Sequence, residues 1–163
     1  MQPSDEDREK PAWTLPKRTS THGENLHISS FVLLKNSQGD SIVLLKAGSK
    51  HPIQFKRGKL LLPAKILNFG EDPWRVAVRL LGDQINGTEN LKVNFVSMQS
   101  YLGAHWDIVF VYEAILLDEG KTLTANEPFV EAGFYKMSAL PREQIAEDHL
   151  EVLDELGKVS NDH

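Results

Sequence analysis

Hydrophobic and polar positions change rhythm several times along this chain, and each rhythm predicts an element. Apolar residues dominate 28–35 and 41–46, and the turn-forming run from Asn36 to Asp40 separates them, so the pattern predicts a strand hairpin. Residues 59–66 read as a short extended segment broken by Pro63. The rhythm then lengthens to that of a helix, with Trp74, Ala77, Val78, Leu81 and Ile85 as its apolar stripe. Asp72 offers a carboxylate to a free amide of the first turn, Pro73 suits the first helical position, and Gly87 supplies a stop. Residues 91–98 alternate as a strand does, and 106–117 are apolar enough for a central strand buried on both faces. A last short strand is expected at 132–137. A closing helix is expected over 141–156, with Ile145, His149, Val152, Leu153 and Leu156 on one face and Gly157 ending it. Residues 1–24 are polar and Pro-containing, with Trp13 and Leu15 as their main large apolar groups. They are expected to form a flexible arm before one domain at 25–158 and a tail at 159–163.

Composition narrows the chemistry. A chain of 163 residues suits a single domain with a real core. The net charge of −5 argues against a broad nucleic-acid interface, while leaving room for a local phosphate patch. There is no cysteine, which excludes disulfides, zinc–thiolate sites and thiol nucleophiles. No apolar run approaches the roughly 18 residues of a membrane span, and the acidic N-terminus is unlike a secretory signal, so a cytoplasmic protein is expected. The six histidines show no metal-ligand spacing, and G-x-S-x-G and zinc signatures are absent.

The stretch from Leu62 to Gly87 resembles a Nudix box, whose consensus is G-x5-E-x7-R-E-U-x-E-E-x-G-U with U a bulky aliphatic residue. In register, Glu71 and Arg79 match, and Leu81 fills the aliphatic position. Lys65 stands at the first Gly, Asn86 at the last, and Leu80, Asp83 and Gln84 occupy the three glutamate positions. Arg57-Gly-Lys-Leu-Leu-Leu-Pro63 and the run from Glu131 to Pro141 also look like the flanking segments of that family, so the resemblance covers residues 26–156. It implies an α/β fold, an α/β/α sandwich around a mixed sheet. It further implies metal-dependent cleavage of diphosphates and a homodimer.

The substitutions bear directly on that chemistry. Carboxylates four residues apart on a helix lie about 5–6 Å from one another and can share hard cations, which activate water and polarise phosphate. Here the pair is Leu80 and Gln84: one offers no oxygen, the other a neutral carbonyl. Asp83 points about 100° away from Gln84 around the helix. Glu71 and Asp83 are the candidate residual catalytic and metal-binding residues, holding at most a weakly bound Mg2+ or Mn2+. Each also has a plain structural role, Glu71 as a complement to the helix dipole and a partner for Arg79, Asp83 as an ion-pair partner of Arg79. A leucine at position 80 is costly in a wet cleft, so protein or a partner is expected to fill that part of the groove. Glutamates restored at 80 and 84 are expected to raise magnesium affinity.

Lys46, Lys50, His51, Lys56, Arg57 and Lys59 concentrate positive charge before the box. Lys56, Arg57, Lys59 and Lys65 are the candidate phosphate-binding residues, with Phe55 a candidate stacking surface. His105-Trp106-Asp107 opens the central strand at the expected cleft edge. The leading expectation is a binding module for a nucleotide, RNA or a protein with little or no diphosphatase activity. One alternative is a divergent hydrolase acting with magnesium or manganese on a nucleoside diphosphate linked to another moiety, with Glu113, Glu127 or Glu131 lending a carboxylate. The other is a homodimeric assembly protein. A nucleotide derivative is the expected small-molecule partner; nucleic acid is the less favoured one, and no membrane contact is expected.

Overall fold

Strands β1 (Leu26–Asn36) and β7 (Trp106–Leu116) run parallel, paired from Leu26↔Trp106 to Asn36↔Leu116, at the centre of a mixed sheet. The computed structural model of the protein describes residues 26–102, 106–117 and 122–161. β2 (Ser41–Ala47) returns antiparallel to β1 after the Asn36–Asp40 turn, where Asn36 Oδ1 accepts from the Ser41 amide and Gly39 takes the left-handed φ of +75°. The sheet order is β3-β2-β1-β7-β6, with β3 (Leu60–Leu61) outside β2 and β6 (Asn94–Leu102) antiparallel to β7. β4 (Ala64–Ile66) pairs with β1, and β9 (Phe129–Lys136) pairs with β2. A two-stranded ribbon of β5 (Ile85–Asn86) and β8 (Thr124–Ala125) stands apart.

Period-two alternation along β1 and β7 sends side chains into two cores, one on each face. Val32, Leu34, Tyr112 and Ala114 meet helix α1 (Pro73–Gln84) on one side. Phe31, Leu33, Val109 and Val111 meet helix α2 (Glu147–Asn161) on the other. This is the expected α/β/α sandwich, and β7 is buried through its middle on both faces as expected. No helix among the described residues is long and apolar enough to cross a membrane.

Helix α1 begins where its punctuation placed it. Asp72 Oδ1 accepts from the Trp74 amide at 2.8 Å, and Pro73 occupies the first turn, where no N–H is required. An Asp72→Ala variant is expected to lose about 1 kcal/mol of stability, read as a lower urea midpoint at unchanged m-value.

Several expectations are corrected. The buried stripe of α1 is Val76, Ala77, Leu80 and Leu81, while Trp74 and Val78 are exposed. The helix is rotated from the expected stripe because Leu80 packs inward beside Leu81. Trp74 instead lies across the surface and donates from Nε1 to the Val93 carbonyl at 2.9 Å. The chain leaves the helix at Ile85, two residues before Gly87, because Ile85 and Asn86 enter the β5–β8 ribbon. β6 starts three residues later than expected. α2 starts at Glu147 rather than 141: residues Arg142–Gln144 form a 3-10 turn, and Ile145 bridges to Leu60 before the helix begins. Nor does Gly157 end α2, which continues to Asn161. The expected N-terminal arm, His22, His105 and His163 lie outside the described residues.

Candidate functional site

The Nudix-box residues come together around the start and end of α1, but in roles that leave little for a cation. A turn at Asn68–Gly70, with Gly70 at φ +83°, carries the chain into the helix. There Glu71 Oε1 accepts from the Asn68 amide at 2.7 Å, and Oε2 is held by Arg79 Nη2. Burial alone would raise the Glu71 pKa, but the Arg79 hydrogen bond, the Asn68 amide and the charges of Arg79 and Lys65 outweigh it, and it sits below its ordinary value. Glu71 in turn pushes Arg79 up. Each carboxylate oxygen therefore has one partner within the chain.

Leu80 is 1% exposed, packed in the α1-side core. Gln84 donates from Nε2 to the Ala64 carbonyl at 2.9 Å, tying the end of α1 to β4, a bond that a glutamate could not donate. Its Oε1 is buried without a partner among the described residues, a single neutral oxygen. Asp83 is exposed, near enough to Arg79 to raise its pKa, and its backbone carbonyl accepts from Asn126 Nδ2. Among the described residues no group of three or more His, Cys, Asp or Glu is placed to hold a metal ion. Hard divalent cations want several anionic or carbonyl oxygens converging; an engaged carboxylate, an exposed one, one amide oxygen and a leucine do not match that donor set. The protein fills the space at position 80.

On the opposite face of the sheet, under α2, lies a cavity of about 990 Å³. Its floor is the β1–β7 surface, with Phe31 and Val109, and its far wall is the first half of α2. Residues 48–59 lean over it. Three of the four expected phosphate residues, Lys56, Lys59 and Lys65, line this cavity, whereas Arg57 does not and bonds the His51 carbonyl through Nε at 2.8 Å. Lys56 is spoken for, since Nζ lies 2.7 Å from Asp148 Oδ2 on α2. Lys59 and Lys65 are exposed and form no ion pair among the described residues. Lys50 pairs with Glu127 and Lys35 with Glu113, so those two glutamates are engaged away from the cavity, while Glu131 is exposed on β9 opposite Lys46. Phe55 also lines the cavity and is 76% exposed at its rim.

Sequence reasoning missed the histidines that furnish this cavity. His149 had been placed on the buried face of the last helix without a role, yet it borders the space and packs its ring on Phe31 at 4.8 Å. Burial drives it down to about pKa 3 against the opposing pull of Asp148, and burial also lowers His51. A third, His27, places Nδ1 3.2 Å from Asp107 Oδ1, because the parallel register sets residue 27 directly beside residue 107. His51 had been named only for its charge before the box, and Asp107 only within the segment that opens the central strand; both line this cavity.

The sheet order, the helix on each face and the box at the head of α1 together define the Nudix fold. No protein-family model matches the chain, and no curated protein matches it by sequence. Solved structures match it by fold. A MutT protein from Methanosarcina mazei Go1 superposes with a TM-score of 0.63 at 12% identity, over 84% of this chain and 96% of that one. The NUDIX domain of Shewanella oneidensis NrtR, solved with ADP ribose, gives 0.59 at 14% identity, covering 84% and 88%. An Ap4A hydrolase from C. elegans gives 0.59 at 18% identity, covering 83% and 96%.

Proposed function

We propose that the protein is a Nudix-fold module that binds a nucleotide derivative in the cavity under α2, with little or no diphosphatase activity. The observation that carries this is the state of the box. Leu80 is core, Gln84 is a structural tie to β4, and Glu71 spends both oxygens on Asn68 and Arg79. Cleaving a phosphoanhydride in the family's manner needs cations that polarise phosphate and acidify water, and these side chains offer no converging set to bind them. The cavity, by contrast, is intact and roomy. Its volume lies at the upper end of ordinary ligand sites, its lining is mainly apolar, and a few polar groups converge in it. The ligand class is drawn from the fold's neighbours, one of them solved with ADP ribose and another named for Ap4A.

Incubation with ADP-ribose, diadenosine tetraphosphate and nucleotide sugars in the presence of Mg2+ or Mn2+ is expected to release no product above a protein-free blank. The same compounds screened in EDTA are expected to raise the melting temperature for at least one of them. Turnover that disappears in a Glu71→Gln variant would refute the proposal and restore the divergent hydrolase.

A further inference from the structure

Helix α1 covers only part of its face of the sheet. It meets Val32 and Leu34 of β1 and Tyr112 and Ala114 of β7, and the same face continues past β7 to β6. Register places Met98 beside Phe110 and Leu102 beside Trp106. Phe110 and Trp106 share the α1 side with Tyr112, because alternate side chains of a strand point to one face. Two contacts hold this arrangement. Trp106 Nε1 donates to Ser100 Oγ at 2.8 Å, and the Phe95 ring meets the Tyr112 ring edge-on at 5.8 Å. The described residues leave this part of the face bare: Phe95 is 59% exposed, Met98 57%, Leu102 75% and Trp106 45%.

Large apolar side chains grouped in this way make a patch of the kind that marks a contact surface. β6 is also the last strand of the sheet in that direction, and its nine residues include no Lys, Arg, Asp or Glu to keep other chains away. An apolar occupant suits it, and the chain supplies one at the right place. β1 begins at Leu26, which pairs with Trp106, so residues 1–25 enter the fold at the end of the patch marked by Trp106 and Leu102. Trp13 and Leu15 are the main large apolar groups of that segment. Pro16 restricts Leu15 to an extended backbone, in which residues two apart turn to one face. The chain from Leu15 to Leu26 can span about 35 Å when extended, whereas β6 lies two strand spacings, about 10 Å, from β1. Tethering also raises the effective concentration of the segment at the patch to the millimolar range, which a free partner must exceed.

We propose that the bare β7–β6 face is the docking surface for residues 13–15 of the same chain, with Trp13 and Leu15 closing over Met98, Leu102 and Trp106. The segment expected from the sequence to be a free arm is on this reading the cover of the sheet. The assignment is independent of the ligand cavity, which lies on the opposite face. It touches that cavity at one point, because docking pins the start of β1, where His27 borders the cavity.

Fluorine NMR of the full chain labelled with fluorotryptophan tests the assignment. The tryptophans are Trp13, Trp74 and Trp106, and the resonance lost in Trp13→Phe is that of Trp13. In the folded protein this resonance is expected away from its position in urea, and the Trp106 resonance is expected to move in Trp13→Phe. Met98→Asp combined with Leu102→Asp puts two charges on the bare face at exposed positions, and is expected to return the Trp13 resonance to its urea position. Leu102→Asp alone makes the same test if the double variant fails to fold. A wild-type Trp13 resonance already at its urea position would overturn the proposal. So would a displaced resonance that both aspartate variants leave unchanged, since Trp13 would then dock elsewhere. Finally, the labelled double variant is mixed with unlabelled Trp13→Ala protein, whose face is open, at equal micromolar concentration. Its Trp13 resonance is expected not to respond; renewed displacement would give the face to a second copy and overturn docking within one chain.

Discussion

Moving from pH 7 to pH 4.5 is expected to cost the fold roughly 2–3 kcal/mol through His149 alone. Burial places this imidazole near pKa 3 in the folded protein, against an ordinary value of 6.5. Between those values the unfolded chain binds a proton that the folded one refuses, so stability falls as pH drops through 6.5 and stops falling only near 3. His51 is depressed in the same direction and adds to the slope. Glu71, Asp148 and Asp154 are also held below their ordinary values, but carboxylates lose their stabilisation at lower pH, so the window above 4.5 belongs mainly to the histidines. Urea titrations at half-unit steps should show this slope in the wild type and a much shallower one in His149→Asn. An unchanged slope in that variant would mean that His149 is hydrated and titrates normally.

The other large effect concerns the box. Leu80→Glu is expected to destabilise the protein by at least about 5 kcal/mol, since it removes a packed side chain and leaves an uncompensated charge in the core. That is as much as a whole small domain has to spare. Adding Gln84→Glu makes matters worse, because the amide donor to the Ala64 carbonyl is lost. Glutamates at both positions are therefore expected to unfold the protein before they raise magnesium affinity, because position 80 faces packed side chains. Leu80→Met, which conserves volume, is the control and should cost less than about 1.5 kcal/mol. A soluble, folded double variant that binds manganese tightly would show that position 80 can turn outward.

Local signals carried the fold well. The Asp72-Pro73 start of α1, the Pro63 break between β3 and β4 and the long apolar run of β7 are each set by neighbours in sequence, and each was legible. The rotation of α1 was not, because Leu80, aligned with a glutamate position of the box, was left out of the apolar stripe, although it fits the period. Nor was the start of α2, since residues 141–146 are drawn into a 3-10 turn and a bridge to Leu60 by contacts distant in sequence. The site was legible in its losses more than in its gains. Leu80 and Gln84 were legible from the chain alone as departures from the box, and the structure packs the first into the core and ties the second to β4. His51 and His149 lie 98 positions apart and meet only because residues 48–59 fold over α2.

The burial of Leu80 also has a historical side. If an ancestor carried a glutamate there, the leucine did more than delete a ligand: it became part of the packing that now keeps α1 on the sheet. A single reversion meets a folding defect before any catalytic benefit can accrue, and neighbouring residues would have to change first to open the position to solvent. On that history an ancestral activity would be shut behind a one-way step.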